Sequence, residues 1–310
     1  YGRIDQDIDR AIELLEKARE TTLAENNKSH INLYVALGIK SRACLAEGDW
    51  DGAFKAAKRV IDEGGYAVGT KSDLTSGMNS LDKQNVMWGA GIQVADQAGG
   101  YAGFFTHMDN KEGAYAKSAP KLISKQLYNR ISATDIRRDW WDPSDKESPY
   151  VSKKFSFANV ASFLGDYIYM RVEEMVHQFA EAALRLDDLK SARELMNTVM
   201  AERDPGYSAN NRSGTLLGAT TTTWTGSFLE NILTHRRIEL WGEYGRLFDV
   251  RRLGQGIDRR TDDGFSEECI SMMNRRNVNI TKADTYDWVL TIPKAELDAN
   301  PNINEEDQNP

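Results

Sequence analysis

Apolar positions near the start of the chain repeat every three or four residues, a spacing that predicts amphipathic helices. The first helix is predicted over residues 4–20. The second, over residues 29–47, is apolar nearly all round, as is typical of a buried central helix. Asp49 is placed to cap a third helix, Trp50 to Asp62, and Gly64-Gly65 is expected to end that helix in a left-handed turn.

A second helical hairpin of the same shape is predicted further along. Its helices are Arg171 to Leu186 and Ser191 to Arg203, with Asp187-Asp188 as the turn between them. Aligning the two hairpins on their turns places Ala53 on Ala192, and small residues there let antiparallel helices approach closely. This spacing is typical of tetratricopeptide-type hairpins, although any pair of antiparallel helices has a similar pattern. Two more helices are predicted over Ser227 to Glu243 and Phe248 to Leu253.

The sequence between the hairpins differs in kind. Residues 67–165 are rich in Gly, Ser, Asp and aromatic residues, with a strand expected within Asn85 to Gln93 and a short helix within Lys121 to Ile131. The predicted fold class is therefore mainly α, with tetratricopeptide-like helical hairpins and a loop-rich irregular subdomain. The predicted parts are a helical scaffold over 1–66 and 166–254, a loop-rich ligand-binding excursion over 67–165, and an extended C-terminal segment over 255–310 that packs on the scaffold.

Composition narrows the function classes. The chain has 310 residues and a net charge of −8, and its Arg-rich spots are interleaved with acids, so nucleic-acid binding is not predicted. No stretch approaches the roughly 20 apolar residues of a membrane-spanning helix. Cys44 lies in a helical apolar pattern and is expected in the core, while a disulfide to Cys269 stays open. Because the chain begins at Tyr1 without an initiator Met or a signal segment, it is interpreted as an internal fragment or a processed product.

No residue set predicts catalysis or metal binding. The acids from Asp5 to Glu16 match part of a calcium-loop pattern, but Arg10 replaces the required glycine and the apolar spacing favours a helix. His235 and Glu239 are four residues apart on a helix without a third ligand, which favours a simple side-chain pair over a metal site. Motifs of hydrolases, phosphate loops and zinc proteases are absent from the sequence. The prediction is a protein that is not an enzyme and uses no cofactor.

Aromatic residues in polar, irregular sequence are the candidates for ligand binding. Flat exposed rings stack on the apolar faces of sugars, while neighbouring polar groups hold hydroxyls. The alternative for each ring is that it only anchors a long loop. The candidates are Trp140, Trp141, Trp88, Tyr101, Tyr150 and Arg137, with Arg138 beside them and the loop around Trp224 as a second location. Since adjacent residues in extended chain point opposite ways, one of the tryptophan pair is expected to stack on sugar and the other to anchor the loop.

The order of motifs along the whole chain resembles the SusD/RagB family. The most specific stretch is Arg236 to Arg252, although His235 replaces a common Glu and Tyr244 occupies the glycine position of the family's Glu-Gly-x-Arg step. The other segments that carry the resemblance are Asp7 to Leu15, Ala46 to Trp50, Val60 to Tyr66, Asp135 to Arg138, Arg171 to Ala182 and Thr291 to Leu297.

The resemblance implies a fold of tetratricopeptide-like helices that supports a loop-rich subdomain. It also implies a lipid-anchored protein at the cell surface of the outer membrane, which captures oligosaccharide for import through a TonB-dependent, SusC-like transporter. The family's N-terminal part, with its lipid-anchored cysteine, is not matched by this chain. Some members are specialised for peptides, so a helical-repeat module that binds peptide or protein is the alternative.

Charged residues near the most specific motif alternate in sign at three- and four-residue spacing. They are Arg236, Glu239, Glu243, Arg246, Asp249 and Arg252. We predict that these residues form a partly buried ion network that fixes this helix and the following turn, because removing one member of a buried pair costs far more than removing one member of an exposed pair.

Overall fold

The computed structural model describes residues 1–19, 27–96, 103–212, 214, 225–255 and 291–308. Its helices are α1 (Gly2–Arg19), α2 (Leu33–Glu47), α3 (Trp50–Glu63), α4 (Lys71–Leu74), α5 (Phe104–Met108), α6 (Ala114–Ser118), α7 (Lys125–Asn129), α8 (Val172–Arg185), α9 (Leu189–Ala201), α10 (Phe228–Glu239), α11 (Arg246–Arg252) and α12 (Lys294–Ala299). Its strands are β1 (Val86–Ala90), β2 (Trp141–Asp142), β3 (Val151–Ser152) and β4 (Tyr167–Arg171), and β1 pairs with β4 and β2 with β3, both antiparallel. The mainly α prediction is confirmed.

Both predicted helical hairpins form, and their turns are built alike. Gly48 (φ 89°) ends α2 and Asp187 (φ 63°) follows α8, each in the left-handed region. The next residue caps the returning helix in both hairpins, since the Asp49 carboxylate accepts from the Gly52 amide (2.9 Å) and the Asp188 carboxylate accepts from the Ser191 amide (3.1 Å). Such a cap stabilises a helix by about 1 kcal/mol. The aligned pair Ala53 and Ala192 is fully buried in both hairpins.

Helix α8 is the centre of the scaffold. Every residue from Val172 to Leu184 is buried, including Glu173, Glu174 and Glu181. Helix α3 packs on one side of α8, and α9 and α10 pack on others, while α2 packs against α3 and α1 against α2. The main apolar core follows this arrangement from α1 through α10. A helix buried on all sides has no solvent-facing stripe for its polar residues, so its three glutamates need partners inside the protein.

Several predicted boundaries differ from the structure. Helix α10 ends at Glu239 rather than Glu243, because the chain turns through Gly242 (φ 75°) and Gly245 (φ 113°) before α11 begins. The helix expected within Lys121 to Ile131 is only Lys125–Asn129. The C-terminal segment, expected to be extended, contains α12, and its residues 256–290 lie outside the described residues, as does Cys269. The division into scaffold and excursion stays a prediction.

The acidic start of the chain is helical, as predicted, because α1 runs unbroken through the positions of the calcium-loop pattern. Among the described residues, no cluster of His, Cys, Asp or Glu side chains is suited to hold a metal ion. Within the same residues, no helix combines the length and the apolar character that crossing a bilayer requires.

Glu239, the last residue of α10, lies at the centre of a cluster of fully buried charges. Three guanidinium groups from different parts of the chain donate to its carboxylate: Arg137 (3.0 Å), Arg203 (3.0 Å) and Arg171 (3.2 Å). Glu173 of α8 shares two of these cations, accepting from Arg203 at 2.9 Å and pairing with Arg171 at 2.9 Å. These side chains are 0% exposed. The cluster joins α8, α10, the end of β4 and the chain after α9.

A second buried network fixes α11. Asp249 accepts from Arg236 (3.0 Å) and from Arg252 (2.8 Å), and Arg252 also pairs with Glu181 of α8 (2.7 Å). Arg236, Asp249 and Arg252 form the predicted ion pairs with one another. Glu239 and Glu243 are also paired, but with Arg171 and other cations outside the predicted set. Arg246 departs from the prediction, since within the described ranges it pairs with no acid and contacts the Gln255 amide oxygen at 3.5 Å. Helix α11 is therefore held to α8 and α10 through charges on its inner face.

Replacing Glu239 tests how strongly the cluster stabilises the fold. Glu239→Gln leaves three buried guanidinium groups without their shared carboxylate, and we expect the free energy of unfolding to fall by about 3–5 kcal/mol. The matched control is Asp51→Asn, because Asp51 forms an ion pair with Lys55 in which both side chains are well exposed. That change should cost less than about 1 kcal/mol. Urea denaturation of both variants measures the difference, and equal costs would refute the structural role of the cluster.

Two buried histidines next to this cluster are held in the neutral form. Burial lowers the pKa of His177 to about 3. Burial, and then Arg137, lowers the pKa of His235 well below its usual value. Burial alone would raise the pKa of the Glu239 carboxyl, but Arg203, Arg171 and Arg137 outweigh burial and hold that pKa well below its usual range. Because all three pKa values are lower in the folded state, the unfolded chain binds more protons than the folded chain does in acid.

These histidine pKa shifts therefore predict that the protein begins to lose stability at pH values well above those at which carboxylates titrate. Below about pH 6.5 the unfolded imidazoles bind protons and the folded ones do not, so each lowers the free energy of unfolding by up to about 1.4 kcal/mol per pH unit. Unfolding measured between pH 7 and pH 5 should show this slope. The double variant His177→Gln/His235→Gln should flatten it, while His30→Gln, at an exposed position, should not. A flat profile in the wild-type chain would contradict the prediction.

Candidate ligand-binding surface

The tryptophan pair predicted to contact ligand lies in the core. Trp140 is 3% exposed and Trp141 is 1% exposed. The Trp140 indole nitrogen donates to the Leu74 carbonyl (2.8 Å), and the Trp141 ring packs edge-on against Trp241 with 5.7 Å between centroids. Neither ring offers a free face to a sugar. The sequence placed them in a polar loop, but the loop folds inward on a second apolar cluster with α4 and α7, so both rings have the anchoring role that was the alternative.

The arginines beside the tryptophans are also engaged inside the protein. Arg137 is fully buried, where its guanidinium donates to Asp135 (2.6 Å) and Glu239 (3.0 Å) and contacts His235 Nδ1 (2.9 Å). Arg138 is half-buried, donates to the Ile131 carbonyl (2.7 Å) and lies over the Tyr128 ring. Arg137 therefore stabilises the scaffold, and the expectation that it orients ligand hydroxyls is not supported by its position.

The remaining predicted aromatic residues differ in where they lie. Tyr150 is half-buried, packs against Tyr128 (5.2 Å between centroids) and has a φ of 69°, so its backbone is fixed in a tight turn. Tyr101 and Trp224 lie outside the described residues. Trp88 is half-buried on β1 and is the one described candidate whose ring touches a well-exposed aromatic side chain, Tyr169.

Trp88 and Tyr169 meet across the ribbon of β1 and β4. Their rings are edge-on, with 5.1 Å between centroids, and Tyr169 is 42% exposed. The strands come this close because Gly89 has no side chain, since a Cβ there would lie 2.2 Å from the Tyr167 carbonyl oxygen. The register is also irregular between Trp88 and Gly89, as at a bulge, which turns the tryptophan out of the regular alternation.

Arg42 of α2 connects this ribbon to the end of the helical scaffold. Its guanidinium donates to the Tyr169 carbonyl (2.8 Å) and binds Glu174 with two hydrogen bonds (2.6 and 2.8 Å). The same group lies over the Tyr244 ring, 3.8 Å from its centroid. One turn earlier, Gly38 lets α2 approach the Met170 sulfur, which would lie 2.4 Å from an added Cβ. Glycine at that position therefore sets how closely α2 and β4 approach.

Tyr244 connects Arg42 to α11. It lies in the turn shaped by Gly242 and Gly245, and its ring stacks on Phe248 with 5.3 Å between centroids and 25° between planes. Burial raises the pKa of the Tyr244 phenol, although Arg42 opposes this shift, so the hydroxyl stays protonated at neutral pH. Phe248 is 50% exposed and its neighbour Leu247 is 53% exposed.

Trp88 and Tyr169 form one pair of rings and Tyr244 and Phe248 form another. Arg42 connects the pairs through the Tyr169 carbonyl and the Tyr244 ring, and we call these four residues the aromatic strip. Its two exposed rings are Tyr169 and Phe248. Exposed rings of this kind stack on the apolar faces of sugars, and the tyrosine hydroxyl supplies a hydrogen-bonding group.

Sequence reasoning missed Tyr169, Tyr244 and Phe248. Tyr167 to Met170, just before α8, is a short apolar run that favours a strand, but the run does not by itself indicate which ring faces solvent. Tyr244 and Phe248 lie within a motif that was interpreted as scaffold. That interpretation holds for the inner face of α11 but not for the outer one. A seven-residue helix gives too short a pattern to separate its two faces from spacing alone.

Comparison with known proteins identifies relatives of this fold. The model of the SusD family matches residues 105–310. A SusD-like carbohydrate-binding protein from Bacteroides vulgatus is 28% identical, with a TM-score of 0.64, over 82% of this chain and 52% of that protein. A SusD superfamily protein from Bacteroides thetaiotaomicron has a TM-score of 0.71 at 21% identity, over 98% of this chain and 66% of its own.

Surface glycan-binding protein A from Bacteroides thetaiotaomicron is similar in fold, with a TM-score of 0.65 at 16% identity, over 95% of this chain and 68% of its own. Among curated proteins, no sequence matches this chain. The chain spans about half to two thirds of the length of these solved structures.

Two substitutions separate the anchoring rings from the surface rings. Trp141→Ala removes a fully buried indole, and we expect the free energy of unfolding to fall by about 3–5 kcal/mol. Tyr169→Ala removes an exposed ring and should cost less than about 1 kcal/mol. Denaturant titration of both variants provides the measurement. If Trp141→Ala were as stable as the wild-type chain, the placement of its ring in the core would be refuted.

Proposed function

We propose that this chain, which belongs to the SusD family, binds glycan at the cell surface and is not an enzyme. The observation that carries the proposal is the aromatic strip, because it presents two exposed rings and a tyrosine hydroxyl on a rigid part of the scaffold. The proteins of similar structure that are named for carbohydrate or glycan binding support the same ligand class.

The fuller role follows from family membership. We infer that the protein holds oligosaccharide outside the outer membrane and delivers it to a TonB-dependent, SusC-like transporter, and that a lipid anchor outside this chain retains it at the membrane. A binding protein that supplies a transporter has to release its ligand. A surface with two or three ring contacts, each worth about 0.5–1.5 kcal/mol, fits that requirement because the cost of immobilising the ligand offsets much of the gain. Affinity on the order of micromolar to millimolar is expected.

Calorimetry with a panel of plant, fungal and host oligosaccharides tests the proposal. For a glycan that binds the wild-type chain, Tyr169→Ala and Phe248→Ala should each weaken binding by about tenfold, on the scale of ~1.4 kcal/mol per decade. Their stability should stay near that of the wild-type chain because both rings are exposed. Chromatography of the glycan after incubation should show no cleavage.

The matched control is Phe163→Ala. Phe163 is 51% exposed, as Phe248 is, but packs against Phe157 at a hairpin outside the strip. This change should leave binding unaltered. If Phe163→Ala weakened binding and the strip variants did not, the ligand would contact the 67–165 excursion instead. If calorimetry detected binding of peptides but of no glycan, the peptide-binding alternative would replace the proposal.

A further inference from the structure

The outer face of α11 carries a cation, Arg251, that forms no ion pair with the described residues. Leu247, Phe248 and Arg251 lie at i, i+1 and i+4, and all three are exposed, whereas Asp249 and Val250 face inward and are buried. Residues three and four apart on a helix share one side of it, so Phe248 and Arg251 lie on the same exposed face of α11.

Arg251 differs from most arginines near the strip, and among the described residues Arg246, which contacts the Gln255 amide oxygen at 3.5 Å, shares its lack of an ion pair. Arg42 is bound to Glu174 by two hydrogen bonds, and Arg236 and Arg252 share Asp249. Over the described ranges of the chain, no ion pair involves Arg251. The acid of α11 itself, Asp249, is turned inward and already bound twice. Although the chain has a net charge of −8, no acid of its described part pairs with this guanidinium at the end of the aromatic strip.

The physical consequence concerns the kind of glycan that fits. Rings alone suit neutral sugars as well as acidic ones. An exposed guanidinium that is free of internal partners offers two parallel donors to a carboxylate or a sulfate, a pairing with both strength and directional preference. A neutral sugar gains less from that group, because hydroxyls form weaker bonds with it than anions do.

We infer that the aromatic strip, extended by Arg251, is a site for an acidic glycan whose sugar rings stack on Phe248 and Tyr169 while a carboxylate or sulfate binds Arg251. This inference rests on the proposed glycan binding and names the ligand class for the same surface. The charge complementarity at Arg251 is what selects a glycan over an apolar partner, since a purely apolar partner would bury that guanidinium without a counter-ion.

The experiment is calorimetry at low salt with three probes: a short oligogalacturonate, the carboxyl-reduced form of the same oligosaccharide, and a sulfated heparin oligosaccharide. We expect at least one acidic probe to bind about tenfold more tightly than the reduced form. The two acidic probes distinguish carboxylate from sulfate recognition. Arg251→Gln should abolish the preference and leave weak binding of the reduced form. Lys111→Gln, at a cation 89% exposed and outside the strip, should keep the preference.

The outcomes separate the two proposals. Binding of neutral glycans with no preference for acid, or a preference that survives Arg251→Gln, would overturn the acidic-glycan inference while glycan binding stands. Silence of every glycan, neutral or acidic, would overturn the proposed function itself. Light scattering measures whether the protein associates with itself. Self-association that Phe248→Ala abolishes would show that a second copy covers this face, and the inference would then fail.

Discussion

The buried carboxylate of Glu239 is the interaction on which the scaffold depends. It gathers Arg137, Arg171 and Arg203 from three separate parts of the chain into one fully buried site. Desolvating these charges costs several kcal/mol for each ion, so the folded cluster is stable only when every charge has its partner. Partial assembly would leave a buried charge unpaired. The arrangement therefore favours one mutual position of α8, α10 and the end of β4, rather than adding large net stability.

Glu174, a second buried acid of α8, connects the scaffold to the protein surface. This residue of α8 is bound by Arg42, lies 3.8 Å from Arg236 and accepts from Gln178 (2.9 Å). Arg42 in turn holds the Tyr169 carbonyl and lies over Tyr244, while Arg236 holds Asp249 on α11. Both exposed ends of the aromatic strip are thus connected to one buried carboxylate. Rings fixed in this way lose little conformational freedom when a ligand arrives, which favours binding by a small surface.

Much of the fold could be predicted from the sequence, because helical spacing and capping residues such as Asp49 and Asp188 act locally. The ion network around Asp249 was also predictable, since its signs alternate along the sequence from α10 to α11. The candidate site was predicted less well. Whether Trp141 faces water depends on how a whole loop folds onto α4 and α7, and no local pattern records that. Tyr169 became a surface residue only through the pairing of two strands far apart in sequence.

In the seven-residue helix α11, the side chains that hold the scaffold and those proposed to bind ligand lie on different faces. Its inner face carries Asp249 and the inward-turned Arg252, which lock the rotation of the helix through Arg236 and Glu181. Its outer face carries Phe248 and Arg251, which contribute little to that lock. Because the inner ion pairs fix the rotation, the outer side chains are presented in a set direction and remain free to vary without unfolding the protein. A helix that fixes the scaffold with one face is in this way compatible with a ligand-specific surface on its other face.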